Sequence, residues 1–377
     1  MKKVFLEMPS MLIYFLCAFL LLVEISFARA QNIEPIQNET KNITAFADPK
    51  EVWGNGVEAV IERAFRQCFK SYFIDGQLVN VRMPFAENHE RDQLVDGGWE
   101  FLGKGKSAPP LLWPVINSTL QSSDFAKYIE ALKSGKEQVI IFDIASQKWD
   151  VSFDIFDIAR MKAGSYHGLP HKPYVLVNGK GVKESDVYNY LYCIAWTGLD
   201  CSGFVWYTLS YIAEQRGINL GQALRRSLGM PSGGTAANFA GTSFYNSPSS
   251  EIIAVDDKIK NLRSGDIMLF RWTDGTMAHS AIIQSVNFSS GVIRYLQDTD
   301  EAPQEERGVH DSYIYFNPKK TNLSLQDESL QWSQKRFSPF PGERESAFSD
   351  DGQRYRAYGG GRVVRLRIMA SLQGTPN

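Results

Sequence analysis

Cys201 stands in Gly198-Leu199-Asp200-Cys201-Ser202-Gly203-Phe204-Val205, between an acid and a serine-glycine pair and ahead of an apolar run that stops near Gly217. If that run is a helix, the thiol occupies its first turn, where unpaired backbone N–H groups and the macrodipole favour an anion. Such a cysteine suits a nucleophile better than an inert core thiol, which prefers apolar neighbours. The thiolate needs a base, and the base needs a third group to fix its ring. His279 is the expected base, because it opens a strand and the small Ser280 and Ala281 beside it leave room for an approaching helix. The third group belongs on the following strand, where Gln297 and Asp298 compete. Adjacent strand residues face opposite ways, so a one-residue register decides between them. His310 is a reserve base, in a His-Asp-Ser stretch that reads as a turn or strand edge.

Metal chemistry has a weaker claim. His167 and His171 flank Gly168 and Pro170, so they cannot share a helical face, and no third ligand follows nearby. No metal and no cofactor is expected. A bond between Cys193 and Cys201 would disable the nucleophile, and Cys68, on an apolar stripe, reads as a small buried hydrophobe.

The block from Asp200 to Val205 resembles the nucleophile motif of the NlpC/p-sixty family of papain-like cell-wall cysteine peptidases. Two further blocks follow in the family's order: Ser264-Gly265-Asp266-Ile267 is similar to its Gly-Asp strand start, and Ala278-His279-Ser280-Ala281-Ile282-Ile283 to its catalytic histidine strand. The resemblance spans residues 180 to 300, with Arg362 to Ile368 as a closing strand. It implies a papain-like α+β domain in which Cys201 attacks an amide carbonyl, His279 takes and returns the proton, and Gln297, or Asp298 in the other register, orients the imidazole. It also implies that Asp200, Ser202 and the helix-start N–H support substrate and oxyanion, and that Tyr190 or Tyr192 lines the site. Where the family has Tyr-x-Trp-Gly-Gly, this chain has Tyr190-Leu191-Tyr192-Cys193-Ile194-Ala195-Trp196-Thr197-Gly198. The implied substrates are peptidoglycan stem peptides. A catalytically silent wall-binding protein and a thiol acyltransferase are the alternatives on the same fold.

The elements around these residues divide into two expected units. Residues 1–30 read as a signal peptide, with a basic start, an apolar core and Ala28-Arg29-Ala30 as a cleavage site. The mature chain then starts near Gln31, exported to periplasm or medium, without a stable membrane anchor. Three cysteines remain in it, too few for a disulfide scaffold. A net charge of -2 gives no argument for nucleic acid. Asn-x-Ser/Thr triplets, Asn117 among them, would matter only in a glycosylating host.

Residues 31–50 read as a flexible leader, 51–165 as an N-terminal α+β domain and 166–377 as the peptidase domain. In the first, helical spacing runs from Val57 to Tyr72 and stops at Asp75-Gly76, residues 97–114 read as strands and loops, Ser123 to Ser134 as a helix, and 138–145 with 149–156 as a hairpin. In the second, Lys183 to Cys193 and Cys201 to Gln215 read as helices, 218–255 as a long loop, and 262–272, 277–286, 291–299 and 362–369 as strands. The segment from Asp300 to Gly361 exceeds what such a core needs.

Overall fold

The computed structural model describes residues 35–36, 55–85, 109–133, 138–143, 148–152, 174–177, 182, 184–191, 195, 197–230, 241–271, 275–299, 308–336, 346–348 and 351–372. The expected signal peptide, His167, His171, Tyr192 and Cys193 lie outside the described residues. Among the described residues no helix is long and apolar enough to cross a membrane.

Helix α1 (Val57–Arg66) buries Val60, Ile61, Ala64 and Phe65 and ends earlier than its spacing suggests. Phe69–Ile74 is a strand, β2, which pairs with the two-residue strand β1 (Pro35–Ile36) and with β3 (Gln77–Arg82). Aromatic residues favour a strand there, and Asp75-Gly76, both at positive φ (51° and 77°), make a tight hairpin turn rather than a helix stop. A second correction is α2 (Pro109–Leu120), in a stretch whose prolines suggested loops. Two of them stand at the helix start, where the missing N–H has no partner to lose, and Leu112, Trp113, Ile116 and Leu120 form its buried face. On the neighbouring turn, Asn117 accepts from the Tyr72 hydroxyl. Helix α3 (Ser123–Lys133) and the pair β4 (Gln138–Asp143) with β5 (Lys148–Ser152) match the expected pattern, with β6 (Tyr174–Val177) on the far side of β4.

The second half begins with α4 (Glu184–Asn189) and α5 (Cys201–Glu214). The expected long loop holds α6 (Leu220–Ser227), α7 (Thr242–Tyr245) and β7 (Ile252–Val255). Strands β8 (Ile267–Arg271), β9 (Met277–Asn287), β10 (Val292–Thr299), β11 (Gly308–Tyr315), β12 (Gln331–Arg336), β13 (Ser346–Phe348) and β14 (Arg362–Leu366) follow. Helix α8 (Asp351–Arg356) precedes β14 and α9 (Arg367–Leu372) comes after it. The eight strands form one antiparallel sheet in the order β13-β12-β11-β10-β9-β8-β14-β7. The fold is α+β, and the extra segment after Asp300 is part of its main sheet.

Each face of this sheet has its own core. Ile267, Leu269, Ile282 and Leu296 pack under α1 and α5, while Met268, Phe270, Ala281, Ile283 and Tyr295 pack with Trp332 and Tyr355 on the other side. The first core also takes in Leu112, Ile116, Phe125 and Tyr128, so the expected border near residue 165 does not divide it. Polar contacts cross that border too. The N–H of Leu199 donates to the Pro84 carbonyl (2.9 Å) and the N–H of Val309 to that of Met83 (3.1 Å). Gly198 permits this approach, since a Cβ there would fall 2.1 Å from the Pro84 oxygen. Residues 83–85 thereby tie the loop before Cys201 to the start of β11.

Candidate active site

Cys201 is the first residue of α5, and Asp200 is its N-cap, in extended conformation (φ -87°, ψ 172°). The Asp200 carboxylate accepts from the N–H of Gly203 and from the Ser202 hydroxyl (3.1 Å), closing the first turn. Gly203 makes room for it, because a Cβ would lie 2.8 Å from Asp200 Oδ1. In this geometry Asp200 and Ser202, expected to support substrate and oxyanion, serve the helix start itself. Cys201 is 8% exposed.

The arrangement of helices sets where the thiol lies on the sheet. Tyr207 donates to Gln67 Oε1 (2.7 Å) and Arg216 to the Asn55 carbonyl (3.3 Å), so α5 runs antiparallel to α1. Along the sheet, α1 passes from Gln284 of β9, which donates to the Glu58 carbonyl (3.2 Å), to Arg294 of β10, which is paired with Glu62. Residues 83–84 hold both Leu199, two residues before α5, and Val309, which pairs with Asp298 of β10, so the start of α5 lies at the end of the sheet where β9 begins and β10 finishes. That is the end that carries His279 and Gln297.

His279 is half-buried, with its ring 5.3 Å from that of Phe270. Its Nε2 lies 2.7 Å from Gln297 Oε1, and the Gln297 amide nitrogen donates to Ser312 Oγ (3.0 Å) and Asp351 Oδ2 (2.7 Å). A carbonyl oxygen only accepts, so against Gln297 Oε1 His279 carries its proton on Nε2. His279 shares its side of the sheet with Ala281 and Ile283, whereas α5 covers the opposite side.

Of the two candidates for third residue, the structure pairs Gln297 with His279. Asp298 points to the helix side, where it and, more strongly, burial push the Cys68 thiol well up. Cys68 is fully buried, as a small core residue should be. His310 corrects another expectation: it lies inside β11, opposite Gln297, not in a turn. Its Nδ1 donates to the Gly308 carbonyl (2.9 Å), and burial first, then the charges of Arg82 and His279, hold its pKa down to about 4. It stays neutral near pH 7 and is a poor reserve base.

Tyr190 is likewise a packing residue here. Its ring lies 4.8 Å from that of Phe125 and 5.1 Å from that of Tyr128, and its hydroxyl is 3.4 Å from Ser122 Oγ. The tyrosine beside Cys201 is Tyr245 of α7, whose hydroxyl burial, Asp200 and Cys201 together push well above its ordinary pKa. Sequence reasoning missed it because it falls in the stretch read as a loop. The Gly-Asp block is structural as well: Asp266 accepts from Arg365 (2.5 and 2.7 Å) and from the N–H of Arg263 (2.8 Å), binding β8 to β14. No protein-family model matches the chain, and no curated protein and no solved structure does either.

Proposed function

We propose that this chain is an exported cysteine peptidase of the papain-like NlpC/p-sixty type, hydrolysing amide bonds in peptidoglycan stem peptides. One observation carries the reading: an imidazole whose Nε2 lies 2.7 Å from Gln297 Oε1, at the sheet end where a capped helix begins with Cys201. Nδ1 of His279 takes the thiol proton, and the thiolate attacks the carbonyl carbon. The backbone N–H of Cys201 holds the oxyanion. Collapse of the tetrahedral adduct expels the amine, which leaves with the proton from Nδ1. Water, deprotonated by the same nitrogen, then hydrolyses the thioester and frees the acid, and the departing Cys201 sulfur takes the proton back from Nδ1.

Digestion of purified peptidoglycan by residues 31–377, with Cys201→Ala in parallel and products read by mass spectrometry, tests this. New stem-peptide fragments from the wild type alone are expected. No cleavage by folded, reduced protein overturns the reading, and cleavage by Cys201→Ala places the nucleophile elsewhere.

A further inference from the structure

We infer that Asp351 is a positioning residue that fixes which way round the Gln297 amide lies, and through it which nitrogen of His279 carries the proton. This rests on the reading of His279 as the base. The amide of Gln297 is nearly symmetric in shape, so turning it over fills the same space with its oxygen and nitrogen exchanged. Packing alone cannot choose between the two, and its neighbours must.

Three groups face that amide: His279, Ser312 and Asp351. Imidazole can present either a donor or an acceptor, and so can the Ser312 hydroxyl. Asp351 Oδ2 accepts here, from the Tyr295 hydroxyl as well as from Gln297. Asp351 Oδ2 therefore draws the nitrogen side of Gln297 toward itself at 2.7 Å and leaves the oxygen for His279. The turned-over amide would set two acceptors against each other where Gln297 is fully buried and Asp351 only 2% exposed. It would also donate to His279 Nε2, driving the ring proton to Nδ1, the nitrogen that has to receive the thiol proton. The Tyr295 hydroxyl donates to the same Oδ2 (2.6 Å) and holds the carboxylate in place. Behind it, α8 is anchored by Tyr355 against Phe270 and Trp332, with ring centroids 5.6 and 5.5 Å away. The segment beyond Asp300 thus contributes the residue that gives the pair its direction.

The test is the ring tautomer of His279 in the full mature chain labelled with nitrogen-15 histidine, read from long-range proton–nitrogen spectra and assigned with His279→Ala. Wild type should show Nε2–H. Asp351→Leu, which removes the acceptor, should bring up a second signal set from Nδ1–H and lower kcat roughly 10–100-fold with KM unchanged. Asp351→Asn, which keeps an oxygen at that position, should restore part of both. Ser312→Ala should leave the tautomer as in wild type. Nδ1–H in the wild type, pure Nε2–H in folded Asp351→Leu, or a Ser312→Ala shift equal to that of Asp351→Leu would each overturn the inference. If Asp351→Leu does not fold, the wild-type, Asp351→Asn and Ser312→Ala spectra decide it. Peptidoglycan digestion is a separate readout: absent cleavage with the tautomer shift intact retires the peptidase reading and leaves the role of Asp351 standing.

Discussion

Two buried polar clusters hang from strand β10, one on each face, and they differ in how they end. On the helix side Arg294 pairs with Glu62 and Asp311 (2.9 Å), Tyr313 donates to Asp311 (2.6 Å) and Arg66 to Glu62 (3.2 Å). Each negative group there meets a guanidinium or hydroxyl donor, and the Arg294, Glu62 and Asp311 side chains are buried. On the other side Tyr295, Asp351 and Gln297 form a chain that ends at a half-buried imidazole. The closed cluster spends desolvation to fix α1 on the sheet. In the open one, the chain of donors and acceptors ends at a group that solvent can reach. Two buried polar clusters on one strand thus differ in exposure at their last group, and the proposed chemistry assigns the open one to function and the closed one to stability.

The largest effect expected is on the open cluster. His279→Ala should lower turnover roughly 10²–10⁴-fold while the melting temperature barely moves. A loss of stability matching that of the closed cluster would erase the distinction.

Glu62→Gln should do the reverse, costing about 3–5 kcal/mol in denaturant unfolding with kcat of the folded protein unchanged. Its pH dependence has a definite sign. Burial alone would push the Glu62 carboxyl up, but Arg294 and Arg66 outweigh it and hold it below its ordinary 4.5. The pair's stabilisation is therefore complete above that pH and lost as pH falls through the depressed folded value. The gap between wild type and Glu62→Gln should close on acidification, and a gap that widens would put the stabilisation elsewhere.

Gln297→Leu should reduce kcat roughly 10–100-fold, whereas Asp298→Asn should leave it unchanged because Asp298 faces the helix core. Equal losses would reopen the choice of third residue.

That choice marks how far the sequence could be read. The start of α5 was legible because Asp-Cys-Ser-Gly is a local signal, an acid cap with a glycine three residues on. Strands β8, β9 and β10 were legible from apolar runs broken by Gly265 and by the Asn287 turn. Position 297 against 298 was not, since both fit the pattern and only pairing with β9 and β11 decides. The strand Phe69–Ile74 hid because Cys68 and Tyr72 also satisfy helical spacing. Helix α2 hid because proline reads as a breaker except in a first turn, and Pro114 stands inside it as well. Asp351 lies 54 residues from the amide it holds, and nothing in Ser349-Asp350-Asp351-Gly352 announces that contact. The common core across residue 165 is equally non-local, made by segments that have no neighbours in the chain.

The smallest effects expected concern two tyrosines, and their signs differ. Tyr190→Phe gives up only the 3.4 Å contact with Ser122 and should cost about 0.5–1 kcal/mol with activity intact. Tyr245 is fully buried, and its hydroxyl has no hydrogen-bond partner among the described residues. Removing an unsatisfied buried hydroxyl relieves its desolvation cost, so Tyr245→Phe should raise stability by about 1 kcal/mol. Thermal unfolding and peptidoglycan turnover, measured on both variants, separate packing from chemistry. If Tyr190→Phe lowers kcat, the tyrosine implied by the family resemblance regains its place at the site. If Tyr245→Phe gains stability and loses kcat, the hydroxyl is held dry and unpaired for a partner that arrives with the substrate, and α7 belongs to the site that Cys201 opens.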